Sequence, residues 1–284
     1  MPQCRLVQVD AFADRPFTGN PAAVVPLDEW LSDETLQAIA AENNLSETAF
    51  TIPASDGAAD YELRWFTPTT EVALCGHATL ASGHVLIGER DEVRFMTRKA
   101  GGLAVRRGDG GALELDLPLT LVRPADAEAL RPFTGDGPSL IDIITHDGAS
   151  EAAGSAQVFL SHQGAEATAI VLLADEAAVR ACAPDMRALR NVDLMAIVTA
   201  PAAPGSGYDV ASRVFVPAWG VDEDPVTGSA HAALAPFWAE RLGRPALQAH
   251  QASRRGGDLS CRVEGDRAVL GGRCVTVIEG TLFL

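Results

Sequence analysis

The chain carries one phrase twice, and that repetition constrains its fold more than any other feature. The first copy runs Arg64-Trp65-Phe66-Thr67-Pro68 and continues to Cys75-Gly76-His77-Ala78-Thr79. The second runs Arg213-Val214-Phe215-Val216-Pro217 and continues to Asp224-Pro225-Val226-Thr227-Gly228-Ser229. Both read R-x-F-x-P, a short polar gap, then a glycine-containing turn that opens an alanine-rich helix. Arg64 and Arg213 are 149 residues apart, as are Phe66 and Phe215, and Pro68 and Pro217; Pro53 and Pro201 are 148 apart. Agreement in order and spacing indicates a duplication. Two copies of this size do not make a solenoid. They predict two similar α+β domains facing each other across a cleft, the usual place for a small-ligand site.

Local signals fill in the frame. Residues 4–12 and 21–26 read as strands around the turn Thr18-Gly19-Asn20-Pro21. Ser32 is placed to cap a helix through Asn43, with Leu36, Ile39 and Ala40 at helical spacing. Strands follow at 47–52 and 61–66, a helix at 78–87, and a β-meander over 92–117. The Pro-, Asp- and Ala-rich stretch 118–138 marks a boundary, near 118–126. The expected domains are 1–120, open to completion by the last few residues, and 121–284. In the second, strands are expected at 157–160, 168–173, 193–199 and 208–216, helices at 176–188 and 229–242, and a β-rich tail from 258.

Composition narrows the function. With 38 acidic and 22 basic residues the net charge is −16, a field that repels nucleic-acid backbones. Five scattered cysteines form no C-x-x-C pair, so neither a zinc site nor a disulfide framework is indicated. The first residues lack an apolar leader and no run is long enough to span a bilayer. The expectation is a soluble cytoplasmic protein that binds neither nucleic acid nor membrane.

Several stretches together resemble the phenazine-biosynthesis PhzF-like family: VDAFADRPFTGNPAAVV, NLSETAF at 44–50, FTPTTEVALCGHATLA at 66–81, SRVFVPAWGVDEDPVTGSA at 212–230, and a late segment ending EGTL. The resemblance runs from Val9 to Leu282. It implies a diaminopimelate epimerase-like fold, with two pseudo-symmetric domains, each a β-barrel-like sheet around a central helix, paired as a homodimer. It also implies an isomerase with no metal and no organic cofactor, which moves a proton between carbons of a small anionic carboxylate. Carried over to this chain, Glu47 is the acid/base; Gly76, His77, Asp224 and Ser229 complete the site.

The residue chemistry is compatible with those roles and leaves alternatives. Proton transfer between carbons needs a group that removes the proton and one that returns it. Two helix N-termini can stabilise the anionic intermediate through unpaired N–H groups and dipoles, and Gly76 and Gly228 let backbone approach a carboxylate. Glu47, next to apolar Ala49 and Phe50, reads as the base or as a capping carboxylate. His77 reads as a proton relay or a helix-start residue, and Asp224 as an N-cap with Pro225 at the first helical position, as a site residue, or as both. Ser229 reads as a substrate contact or a helix-end bond. His84 and His231 read as packing or surface residues, and Arg254 and Arg255 as a solvated loop or a carboxylate contact.

Cys75 raises the alternative of an amino-acid racemase or epimerase, which in related folds uses one cysteine from each domain. The position 149 residues on is Asp224, and one further is Pro225, so no second thiol is available. A non-catalytic metabolite-binding member is the remaining alternative. The asymmetry between Cys75-Gly76-His77 and Asp224-Pro225, and the thioether Met195 at the position about 148 residues on from Glu47, favour the proton-shifting isomerase.

Overall fold

The computed structural model describes residues 3–55, 57–146, 156–161 and 167–284. The chain divides into two compact units, Met1–Leu117 with Val269–Leu284, and Pro118–Ala268. Both are barrel-like sheets around a helix, so the fold is α+β.

In the first unit, β1 (Gln3–Ala11) pairs antiparallel with β2 (Asn20–Pro26), and α1 (Asp33–Asn43) returns the chain to β3 (Glu47–Pro53), parallel to β2. β4 (Tyr61–Phe66) runs antiparallel to β3, and the short β5 (Glu71–Val72) antiparallel to β4. Helix α2 (Gly76–Leu86) then leads to β6 (Glu92–Thr97), parallel to β4, followed by β7 (Gly102–Arg107) and β8 (Leu113–Pro118). The last strand of the chain, β18 (Cys274–Phe283), pairs antiparallel with β1 along its whole length. That pairing places 269–284 in the first unit rather than in the second domain, where the linear order put most of the tail.

The second unit repeats this plan. After β9 (Arg123–Pro124), α3 (Ala127–Thr134) and α4 (Leu140–Ile144), β10 (Gln157–Ser161) pairs antiparallel with β11 (Thr168–Leu172). Helices α5 (Glu176–Ala181) and α6 (Met186–Leu189) precede β12 (Met195–Pro201), parallel to β11. β13 (Val210–Val216) is antiparallel to β12, and β14 (Val221–Asp224) antiparallel to β13. Helix α7 (Gly228–Leu242) leads to β15 (Ala246–Gln251), parallel to β13, then β16 (Gly257–Glu264), antiparallel to β15; β17 (Arg267–Gly272) begins in this unit and ends in the first. The pairings β2–β3–β4–β5 and β4–β6 thus recur as β11–β12–β13–β14 and β13–β15, in the same orientations.

Two expectations change. The single helix at 176–188 is two short ones, because Pro184 cannot continue α5 and Asp185 caps α6 by accepting from the Arg187 and Ala188 amides. The tail turns β before 258: β15 falls on Ala246–Gln251, whose buried Leu247, Ala249 and Gln251 alternate with more exposed neighbours.

The repeated arginines hold each copy together. Arg64 is almost fully buried, forks the Glu71 carboxylate at 2.7 and 2.9 Å, and reaches Asp33 at 2.9 Å. Its guanidinium lies 5.0 Å from the Phe66 ring centre. Arg213 forks Glu223 at 2.7 and 3.0 Å and lies 4.9 Å from the Phe215 ring centre. The R-x-F element therefore ties β4 to β5, and β13 to β14, immediately before each turn. Bidentate pairing to a carboxylate and stacking on an aromatic face both require arginine rather than lysine.

Helix α2 is buried from Gly76 through Ser82 and Gly83. A helix enclosed on all sides shows no apolar stripe, which accounts for its small, mixed residues. A Cβ on Gly83 would sit 2.4 Å from Val105 Cγ1 on β7. Alanine gains up to about 1 kcal/mol in helix propensity over glycine, but Val105 is fully enclosed and cannot yield. Gly83→Ala is therefore expected to lower stability by about 1–3 kcal/mol, read from the urea midpoint; an unchanged or raised midpoint contradicts this packing.

Candidate active site

The first cluster forms where β3 begins beside the start of α2. Glu47 is the first residue of β3, and His77 the second residue of α2. Glu47 Oε2 lies 3.0 Å from His77 Nε2. This is an ion-pair distance without hydrogen-bond alignment, so that buried oxygen keeps acceptor capacity. Cys75 Sγ lies 3.5 Å from His77 Nδ1 and 4.0 Å from Nε2. Asn20, first residue of β2 and fully buried, brings its side-chain amide within 3.1 Å of Nδ1. With the amide nitrogen donating, Nδ1 is the acceptor and the ring proton sits on Nε2, toward Glu47; a doubly protonated ring instead meets the amide oxygen.

Burial opposes a charge on His77, but Cys75 and Glu47 beside it more than compensate and hold its pKa well above the ordinary value. Burial pushes the Cys75 thiol up to about 11. The thiol is then neutral near pH 7, and the Glu47 carboxylate is the charge that favours the imidazolium. A pKa raised in the folded state contributes stability that is fully present below the unfolded value, about 6.5 for histidine, and lost as pH rises through the folded value. The raised Cys75 pKa acts with the same sign at higher pH, above about 8.5. Urea midpoints are therefore expected to fall between pH 6.5 and 8.5, with His77→Gln removing that part of the fall. An equal slope in the variant excludes His77 as its source.

The second cluster forms where β14 turns into α7. Thr227 is the N-cap of α7 and Gly228 its first residue, which corrects the placement of Asp224 as cap with Pro225 at the first helical position. The turn is longer than in the first copy, because Pro217–Trp219 coils into a 3-10 turn. The Asp224 carboxylate accepts from the Thr227 hydroxyl at 2.5 Å. Gln251, fully buried at the end of β15, fastens the turn: its Oε1 accepts from the Thr227 amide at 2.8 Å, and its Nε2 donates to the Asp224 carbonyl at 2.7 Å. Ser253 donates to the Pro225 carbonyl at 2.8 Å. The polar loop after Gln251 is thus anchored to the DPVTG turn, while Arg254 remains exposed.

The structure gives the duplicated positions a different register from the sequence. Cys75 and Thr227 are the matching N-caps, Gly76 and Gly228 the first helical residues, His77 and Ser229 the second. Thr79 and His231 each bond back to the N-cap carbonyl, at 2.5 and 2.8 Å. His231 is fully buried, and burial lowers its pKa to about 4 despite that bond. Glu47 and Met195 both open the strand parallel to its neighbour, and Ser229 Oγ lies 4.0 Å from Met195 Sδ. The carboxylate–imidazole pair of one copy is therefore a thioether–hydroxyl pair in the other.

These two helices share a further feature. Ser32, Asp126, Ser139, Asp175 and Asp185 cap α1, α3, α4, α5 and α6 with a side-chain oxygen. Neither Cys75 nor Thr227 caps its helix in that way. Among the described α-helices, the two ends without such a cap are the two built by the repeated phrase, where a fixed positive dipole end and backbone donors favour an anion.

The family model described as PhzC-PhzF, phenazine biosynthesis-like protein, matches residues 9–280. The chain belongs to the phenazine biosynthesis-like family. It is 46% identical over 283 residues to a Pseudomonas aeruginosa protein named as an uncharacterized isomerase, covering 98% of both chains. It is 36% identical to the human phenazine biosynthesis-like domain-containing protein, covering 96% of both. A crystal structure of a PhzF family protein from Enterococcus faecalis superposes with a TM-score of 0.80 at 37% identity, over the whole of both chains. Within this PhzF-like family the chain is an enzyme, of the isomerase class. No helix among the described residues is long and apolar enough to cross a membrane.

Sequence reasoning does not single out Asn20 or Gln251. Asn20 lay inside the TGNP turn, where turn formation already accounted for it. Gln251 lay at the edge of a polar glycine-rich stretch that reads as solvent-exposed.

Proposed function

We propose that this PhzF-like chain is a cofactor-independent isomerase that moves a proton between carbons of a small anionic carboxylate, with Glu47 as the acid/base. One observation carries the proposal: a carboxylate and a buried histidine at 3.0 Å, at a helix start without a side-chain oxygen cap, in one copy of the repeat only. In this scheme the Glu47 carboxylate removes a C–H proton. The His77 imidazolium lies beside that carboxylate, and the resulting carboxylic acid returns the proton to a second carbon. The start of α2 at Gly76 supports the negative charge that develops on the substrate. Asp224, Gly228 and Ser229 enter as candidate substrate-handling residues of the second copy, on the strength of their motif. A homodimer in the cytoplasm belongs to the same proposal, and light scattering that reads a monomer mass would refute that assembly.

The racemase alternative fares worse. A two-base racemase needs a second titratable group in the matching place, and Met195, Thr227 and Ser229 occupy the places of Glu47, Cys75 and His77. The Cys75 thiol, raised to about 11, is also a poor base at neutral pH. The test is solvent-deuterium incorporation, by mass spectrometry, across a panel of cyclic and amino carboxylic acids. Incorporation in at least one acid is expected; no incorporation in any, or inversion of a single stereocentre without double-bond movement, rejects the proton shift between carbons.

A further inference from the structure

We propose that Glu47, Cys75 and His77 form a binding site for a thiophilic divalent cation of the Zn2+ type. A ligand atom from each of the three lies within 4.8 Å of the other two. Zinc bonds of about 2.0 Å to nitrogen or oxygen and about 2.3 Å to sulfur give tetrahedral edges of roughly 3.3–3.5 Å. With Nε2 as the histidine ligand atom, the Glu47–His77 separation is 3.0 Å and the Cys75–His77 separation 4.0 Å, bracketing those edges. Side-chain rotations that draw the Cys75 sulfur toward Nε2 and the Glu47 carboxylate would complete the set. One carboxylate, one thiolate and one imidazole make a mixed O, S, N donor set that suits zinc and not magnesium or calcium. Three protein ligands leave one position open.

Charge and support also fit. A bare cation at a helix N-terminus is disfavoured by the dipole, but one carboxylate and one thiolate neutralise a divalent ion. On binding, the metal–sulfur bond replaces the Cys75 S–H bond and the metal–nitrogen bond replaces the His77 Nε2–H bond, and both protons pass to solvent. Asn20 at Nδ1 occupies the place of the outer partner that orients a ligating histidine. Spacing patterns miss such a set, because its cysteine and histidine sit as C-x-H at a helix start while the glutamate comes from a distant strand. Metal at this site would occupy Glu47 and His77 and stop proton transfer; that consequence, unlike the binding, rests on the proposed function.

The test uses the full-length reduced chain without substrate. Zn2+ affinity is measured by calorimetry with a competing chelator, and Co2+ is added as a spectroscopic probe. One Zn2+ per chain is expected, with a thiolate-to-cobalt charge-transfer band in the near ultraviolet. Cys75→Ala should abolish that band, and both Cys75→Ala and Glu47→Gln should weaken Zn2+ binding by more than the roughly ten- to hundredfold typical of losing an outer partner. The double variant Cys4→Ala/Cys274→Ala, which alters the two more accessible thiols, should bind as the parent does. Circular dichroism confirms that each variant is folded. Absence of binding, or parental affinity in either Cys75→Ala or Glu47→Gln, overturns the site. A chain that binds Zn2+ but exchanges no substrate proton keeps the site and loses the isomerase; one that exchanges protons but binds no Zn2+ does the reverse.

Discussion

Replacing Glu47 with glutamine is expected to reduce solvent-deuterium incorporation by roughly a hundred- to ten-thousandfold, the range that general acid–base catalysis contributes. Glutamine nearly preserves shape, and Glu47 is only partly buried at the first position of β3, so the barrel should tolerate the change. The amide cannot take a proton from carbon, and it removes the charge that holds His77 protonated. Two readouts therefore move together: exchange is lost, and the His77 pKa falls toward the value that burial alone would give. Exchange at parental rate in a folded Glu47→Gln variant sinks the catalytic assignment. Loss of exchange with no change in the histidine titration would leave the base in place and refute the coupling.

The second large effect is on stability. Arg64→Met is expected to cost about 3 kcal/mol, the lower end of the range for breaking a buried ion pair. The lower end applies because Glu71 keeps some solvent contact and Asp33 is largely exposed. The loss includes the fork to Glu71, which holds that carboxyl below the usual range, and the stacking on Phe66. The double variant Arg64→Met/Glu71→Leu should recover part of the loss, since no carboxylate is then left without its partner. Urea midpoints decide it: a cost below about 1 kcal/mol would mark the pair as an ordinary surface bridge.

Much of this was legible in the chain. Duplication followed from R-x-F-x-P at a fixed offset, and the two copies do share their strand pairings and orientations. Strand and helix positions followed from local signals, such as Ser32 ahead of α1, because short-range periodicity and caps are sequence-local physics. Glu71 and Glu223 were not singled out. Nothing in sequence distinguishes a carboxylate that closes a buried fork from one in a polar gap, and only the antiparallel return of β5 on β4 and of β14 on β13 brings them to the arginines. Pro184 lies within 176–188, and a proline there ends one helix before the next begins.

By itself, then, the sequence determined the repeat, the α+β class and the family, because these rest on order, spacing and residue type. The register between the copies was decided by tertiary structure. A longer turn in the second copy moves the match of Cys75 from Asp224 to Thr227, and no constant offset could reveal that. Tertiary structure also decided which side chains meet. Glu47 and His77 are neighbours because β3 lies beside the start of α2, and Met195 and Ser229 because β12 lies beside the start of α7. The same packing applied to different residues yields a titratable pair in one unit and an inert one in the other, a contrast that exists only once the two strands and two helices are packed.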